Sequence, residues 1–408
     1  MNRVIQVILL LYGFEGLIVG IIPPSIFKIG VESLILMLAI FVLVIQRKKT
    51  LRFDRLWIIY LFALILVTVS SAVINLSSIL DTISFLRYFL LFLFGFMVGS
   101  ELKLTRNFQV LLGLIVFSQP IAAIIKLLIL GTSEDYIGTI SISAGSLATT
   151  FTLVVIGYFF IEYKLSSNVK WIGGIFIFSV IAYAGDKRVY WFIAPLMIFL
   201  LNRIINQKRV NVRQVVILTF ALSSSIYLGA RMLPSLNPSH KFWGEWDSDY
   251  LTEYVVSYTS GTSRQGLGIG RIGSQAAMYR NLKSGGQIRK VFGAGPDTFI
   301  DKSNDDKVQN DFGVYLLSHF TGIMFYMGSI GILGSLIYLL FLLTSLKLTF
   351  KFRRVEPRIS LFLTHTYVVM IWDYLFYTKS LQQYQGMIFF TSLLMGYLIK
   401  SKNAHTFR

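Results

Sequence analysis

Apolar runs separated by short polar connectors fill most of the chain, at 4–22, 26–45, 56–74, 80–99, 108–130, 142–163, 169–184, 189–206, 213–230, 322–346, 359–377 and 383–399. They are continuous rather than alternating, and most reach the roughly 20 residues that a helix needs to cross a bilayer core. Inside lipid every backbone polar group must find a partner within the protein, which favours helices for such runs. The pattern predicts an all-α polytopic membrane protein with about twelve transmembrane helices. The segment 169–184 is short for a span, and 80–99 carries Arg87.

One polar stretch breaks the rhythm. Residues 231–318 divide the chain into a block of nine spans (1–230), a large and partly helical loop, and a block of three spans with a tail (319–408). The loop is rich in aromatic residues, which a disordered linker usually lacks. A short amphipathic helix is expected over 245–260, opened by Asp247 or Ser248, and a second over 274–283. Phe292-Gly293-Ala294-Gly295-Pro296 is a strong turn signal. A further helix along the membrane surface is expected over 312–321.

Composition adds the side of the membrane. Hydrophobic residues make up 55% of the chain and charged ones 14%, too few to cover a soluble protein of this length. The net charge of +18 is not that of a nucleic-acid binder, because much of the excess sits in short connectors such as 47–55, 203–213 and 347–358. With the N-terminus in the cytoplasm those connectors all face inward, as basic connectors do beside anionic lipid. Both termini are then cytoplasmic and the large loop is extracytoplasmic. The first run holds Glu15 and is followed at once by another span, so it reads as a helix rather than a cleaved signal. Without cysteine there is no disulfide or thiol chemistry, and the four histidines are too scattered for a metal site. No cofactor or metal is expected.

Candidate chemistry concentrates in the loop. Arg264, Arg271, Arg280, Lys283, Arg289 and Lys290 follow one another with no acidic residue between them. On the outer face such a run suits an anionic, lipid-borne partner. Gly266, Gly268, Gly270 and Gly273 superficially resemble a dinucleotide fingerprint, but no βαβ unit is available here. Beside Arg264 and Arg271 these glycines would let backbone amides approach an oxyanion, and packing of a tight loop explains them equally well. Lys187 and Arg188 occupy a very short connector beside Asp186, where a local ion pair and a phosphate clamp are both open readings. Arg87 lies within a span and requires a partner or a wet cavity. Trp243, Trp246 and Tyr250 can stack on sugars or seat the loop on the bilayer. His319, at the boundary of the tenth span, is a candidate proton acceptor, although a lone interfacial histidine is more often structural.

Taken together these features resemble the O-antigen polymerase and O-antigen ligase superfamily, the Wzy/WaaL type of membrane glycosyltransferase. The architecture is similar over most of the chain, while the motif match is local. Gly185-Asp186-Lys187-Arg188 resembles the family's small-residue-then-arginine connector. Gly270-Arg271, the helix after it and Phe292-Gly293-Ala294-Gly295-Pro296 are similar to its arginine–helix–FGxGP succession, with Arg264 an alternative arginine. Ser318-His319 ahead of Gly328 and Gly331-Ile332-Leu333-Gly334 looks like its histidine and glycine-rich span, with Phe320 where the family often has asparagine.

The resemblance implies a GT-C-like fold in a bacterial cytoplasmic (inner) membrane. It implies an enzyme, metal-independent and inverting, that polymerises a cell-surface polysaccharide such as a capsule. An undecaprenyl-diphosphate-linked oligosaccharide would donate its glycan to a sugar hydroxyl of a second lipid-linked repeat unit. Arg188, Arg271, Arg264, Arg87, Arg289 and Lys187 would hold the diphosphate, Trp243, Trp246 and Tyr250 the glycan, and His319 would take the acceptor proton. A chain-length regulator and a flippase are the expected partners, together with membrane lipids. A ligase with another acceptor is the alternative. A lipid-linked oligosaccharide flippase or other transporter is the rival from a different class, ranked lower because charge concentrates in one outer loop rather than inside the bundle and no internal repeat is visible. A membrane sensor whose loop only binds its ligand is a third reading.

Overall fold

The computed structural model describes residues 1–45, 54–130, 138–140, 145–207, 211–260, 271–299, 321–377 and 384–405. Among these the chain is helical, with no strand. In chain order the helices are α1 (Asn2–Gly13), α2 (Glu15–Ile18), α3 (Pro24–Ile45), α4 (Arg55–Ile74), α5 (Ile79–Gly99) and α6 (Arg106–Leu130). Next come α7 (Gly145–Ser166), α8 (Lys170–Ala184), α9 (Arg188–Asn206) and α10 (Val212–Met232). The polar stretch contributes α11 (Ser248–Ser260), α12 (Arg271–Ser284) and α13 (Gly286–Phe292). The chain closes with α14 (Gly322–Lys351), α15 (Pro357–Trp372), continued by a π turn at Asp373–Tyr377, and α16 (Gln385–His405).

Among the described residues nine of these helices are long and apolar enough to cross a membrane: α3 to α7, α9, α10, α14 and α15. The protein is therefore a multi-pass, all-α membrane protein. The other three expected spans fall short of that standard for local reasons. Helix α8 has only 15 residues. The last helix carries Lys400 and Lys402 toward its end. The first expected span, 4–22, is not one helix.

That span breaks at Phe14, whose φ of −117° and ψ of 20° leave the helical region. The freed backbone groups are met by a segment from elsewhere in the chain. Gly16 N–H donates to the Thr139 carbonyl at 2.8 Å, and the Thr139 hydroxyl donates to the Gly13 carbonyl at 2.9 Å. Thr139 is itself held by Gln119, a fully buried side chain of α6 that accepts from its N–H at 2.8 Å and donates to its hydroxyl at 2.8 Å. Irregular backbone at membrane depth survives where protein groups replace the lost helical bonds.

Two apolar clusters build the bundle. The larger joins α1, α3, α4, α5, α14, α15 and α16 around Phe85, Phe89, Phe92, Phe96, Trp57 and Tyr338. The second joins α6 to α9, with Val369 of α15 packed into it. In the larger cluster α5 and α16 approach closely because both present small residues: a Cβ on Gly99 would lie 2.0 Å from the Leu393 carbonyl oxygen, and one on Gly396 2.1 Å from that of Phe96. The Trp57 indole finds its partner in the Ser345 hydroxyl at 3.0 Å, as a buried N–H requires.

Polar contacts between connectors sort into two ends. At one, Asn2 donates to the Lys103 carbonyl at 3.0 Å, Lys400 pairs with Glu101 at 3.5 Å, and Arg353 donates to Gln207 at 2.7 Å. At the other, connectors near residues 75, 186 and 235 meet the segments around α11 to α13, as described next. Each contact joins connectors that alternate passage of the helices would place together.

Candidate functional site

The polar stretch is attached to the bundle in two halves, by different means. In the first half, Asp247 caps α11: its carboxylate accepts from Asp249 N–H at 2.9 Å and Tyr250 N–H at 3.0 Å. Leu251 and Tyr254 of α11 pack on a small cluster of Ala230, Leu233 and Leu236. The tie to the bundle is Arg188, the first residue of α9. Its Nε donates to the Ser235 hydroxyl at 2.8 Å, its Nη1 donates to the Tyr254 hydroxyl, and its Nη2 lies 3.3 Å from the Asp186 carboxylate. Ser235 closes the ring by donating to Asp186 at 2.8 Å. Asp186 holds a left-handed turn with φ of 45°, a conformation its short polar side chain tolerates. Lys187, the residue between Asp186 and Arg188 in the chain, is buried.

The second half is attached through backbone. Helix α12 buries Met278 and Leu282, four residues apart on one face, in the larger apolar cluster, and leaves Arg280 and Lys283 exposed on another. Helix α13 then delivers Gly293-Ala294-Gly295 into a break in α14. Helical geometry fails there at Ile330 (φ −126°, ψ 16°) and Gly331 (φ 73°, ψ −178°). Carbonyls that would have bonded within the helix are taken by the incoming chain. Ala294 N–H donates to the Gly328 carbonyl at 2.7 Å, and Gly295 N–H donates to that of Ser329 at 3.2 Å. A Cβ on Gly331 would stand 2.0 Å from the Val291 carbonyl oxygen, and one on Gly293 2.6 Å from Gly331 N. Glycine is the residue that permits this approach.

The far end of α4 completes the joint. The Ser71 hydroxyl donates to the Ser329 carbonyl at 2.9 Å, Asn75 donates to the Gly293 carbonyl at 3.3 Å, and Ser77 donates to the Asp297 carboxylate at 2.5 Å. Sequence reasoning singled out the two glycine motifs but not Ser71, Asn75 or Ser77, whose short side chains carry no distinctive pattern. Nor did it find Ser235 and Tyr254 as partners of Arg188.

The remaining candidates are placed as follows. Arg87, on α5, faces Glu32 of α3 at 3.9 Å and donates to its neighbour Tyr88 at 3.4 Å. It sits in the larger cluster's helices, whereas Arg188 sits in those of the second. Arg289 and Lys290 are half-buried on α13, with the Arg289 stem laid over Gly285. Trp243 stacks under Arg231 at 4.9 Å, Trp246 against Tyr227 at 5.4 Å, and Tyr250 against His240 at 6.2 Å. Those three aromatic residues thus line the end of α10 and the turn after it. His319 and Arg264 lie outside the described residues, as does the helix expected over 312–321 up to Phe320. Arg271 opens α12, and only its backbone is described. His365 is buried within the bundle, its Nε2 donating to the Leu153 carbonyl at 2.9 Å.

A basic helix, α12, is pinned at its apolar face, with no acidic residue from Arg271 to Phe292, beside a membrane-embedded bundle. Neither a protein-family model nor a curated protein matches this sequence.

Proposed function

We propose that the protein polymerises a cell-surface polysaccharide, transferring a glycan from an undecaprenyl diphosphate carrier to a hydroxyl of a second lipid-linked repeat unit. One observation carries the reading. Three of the short segments on which the resemblance rests, 185–188, 292–296 and 328–331, come from distant parts of the chain and serve to fasten the polar stretch to one end of the bundle. A carrier held by its prenyl tail among helices would present its headgroup at that end. The exposed cations of α12 supply charge there that no neighbour in their own helix neutralises.

In this reading the lipid diphosphate is a ready leaving group, and transfer requires orientation of two glycans with stabilisation of charge on the departing diphosphate. Arg271, with Arg264 and Arg289, would hold that group. Arg188 would keep the first half of the loop in place through Tyr254, and Lys187 lies beside it. Trp243, Trp246 and Tyr250 would offer faces to sugars, and His319 is the proposed proton acceptor. Displacement in a single step inverts the anomeric centre. The loop lies outside the cytoplasmic membrane in this scheme, with both termini inside.

The test is single substitution in cells that display the polymer. Arg271→Ala at normal membrane levels should abolish long chains, as should Arg264→Ala if that arginine shares the diphosphate. Unchanged chain lengths for both would overturn the proposal. The Arg87–Glu32 pair within the bundle favours one other reading, a transporter of lipid-linked oligosaccharide. Purified protein in vesicles separates them: elongation of the glycan without movement across the bilayer fits the polymerase, and movement without elongation fits the transporter.

A further inference from the structure

We infer that Tyr12, Glu32, Arg87 and Gln385 form a binding site, inside the bundle, for an uncharged hydroxyl-bearing group of the kind a sugar presents. The four come from four different helices, α1, α3, α5 and α16. Three hold a buried polar atom without a hydrogen-bond partner, the Tyr12 hydroxyl, Glu32 Oε1 and Arg87 Nε, and the Gln385 amide, turned to the Glu32 carboxylate, makes no bond of good geometry through Nε2. Tyr12 and Gln385 are only 5% and 4% exposed. Their proximity is explicit. Arg87 Nε stands 3.9 Å from Glu32 Oε1, the Gln385 amide faces Glu32, and Tyr12 lies against Gly386 within the field of both charges.

A separation of 3.9 Å is too long for a hydrogen bond, so the ion pair leaves both atoms unfilled. Buried polar atoms are normally satisfied, and a cluster of exceptions calls for an occupant. Their chemistry defines it. Arg87 Nε–H and the Gln385 amide donate, Glu32 accepts, and the Tyr12 hydroxyl does either. A hydroxyl group, donor and acceptor in one, answers that set. An anion does not, because Glu32 and Glu15 balance Arg87 and Lys28 around the site. Glu32 and Arg87 each lie eight residues past the first residue of their helix, Pro24 and Ile79, which is about 12 Å along the axis. Their side chains are 23% and 28% exposed, while the unsatisfied atoms themselves are covered.

Naming the group as a sugar rests on the glycan-transfer reading; the site itself does not. The test uses the full chain in nanodiscs with a photoreactive octyl glucoside, read by mass spectrometry of labelled peptides. Labelling should fall on α1, α3, α5 and α16, be competed by octyl glucoside, and be competed poorly by octyl phosphate or octanol. Glu32→Gln and Tyr12→Phe should each weaken it about fivefold or more. Tyr12→Phe removes an unsatisfied hydroxyl, so its thermal stability should not fall, and lost labelling then reports the site and not misfolding. Equal competition by octanol, stronger competition by octyl phosphate, or labelling unmoved by both variants would each overturn the inference. The Arg271→Ala chain lengths are read separately. Failed labelling with shortened chains removes the site and leaves the transfer reading, and specific labelling with unchanged chains does the reverse.

Discussion

The two halves of the polar stretch are fastened to the same bundle by opposite strategies. The half around α11 is held by side chains, through the packing of Leu251 and Tyr254 and one guanidinium shared among Asp186, Ser235 and Tyr254. The half around α12 and α13 is held by backbone pressed against backbone, at the break in α14. A side-chain tie can be lost at one residue and leave the fold intact. A backbone joint has no spare room, and it couples the loop to the geometry of a membrane helix.

The contrast breaks most sharply at Gly331. Its φ and ψ lie in a region open almost only to glycine, which costs other residues about 1–3 kcal/mol. A Cβ there would also strike the Val291 carbonyl, adding about 1–3 kcal/mol of overpacking. Gly331→Ala should therefore destabilise on the order of 2–6 kcal/mol, read as loss of folded protein in membranes or a large drop in the detergent melting temperature. Gly293→Ala, with φ of 78° and a Cβ that would stand 2.6 Å from Gly331 N, should behave alike. If both variants melt like the parent, the joint is not built as described.

Arg188→Ala comes next. It removes hydrogen bonds to a charged group, about 1.5–3 kcal/mol each at most, and leaves Asp186 without its ion pair. The expected outcome is local: amide exchange should quicken across 248–256 while 278–292 and the bundle keep their protection. Arg188→Lys should recover little, since an ammonium cannot reach three partners in a fixed fork. Uniform loss of protection would show that the halves are one unit.

Much of this was legible in the sequence, for identifiable reasons. Continuous apolar runs place the helices because lipid leaves the backbone few other choices, and nine of them meet the requirement for a span among the described residues. The turn at Gly293–Pro296 and the glycines at 328–334 were visible as motifs, but nothing in their spacing said that they would meet. That contact depends on α14 breaking, a tertiary event. The break at Phe14 was hidden for the same reason: 4–22 has a spanning length and composition, and only Thr139, arriving from the connector after α6, makes an interruption tolerable. Arg87 announced that it needed a partner, but Glu32, 55 positions earlier, carried no sign of being that partner.

A finer test asks whether α4 belongs to the backbone joint or only borders it. Asn75 bridges its own helix and the loop, donating to the Ser71 carbonyl at 2.8 Å and to the Gly293 carbonyl at 3.3 Å. Asn75→Ala should cost about 1 kcal/mol, and combined with Ser77→Ala should quicken exchange at 292–296 without touching α11. If α11 loosens as well, the separation of the halves fails.

The smallest effect is expected at Trp243, and its smallness is informative. Trp243 is half exposed and meets the bundle's edge chiefly through Arg231 over its ring at 4.9 Å. An exposed cation–π contact is worth about 0.5–1 kcal/mol, so Trp243→Ala should shift the melting temperature barely at all. The residue nonetheless holds a left-handed backbone with φ of 58°, unfavourable for so bulky a side chain. Trp243→Gly should thus be tolerated better than Trp243→Ala, because glycine relieves the backbone while losing the same ring. A large loss of stability in either variant would mean that the first half of the stretch is anchored through its aromatic edge as well as through Arg188, and the side-chain tie would then have two points instead of one.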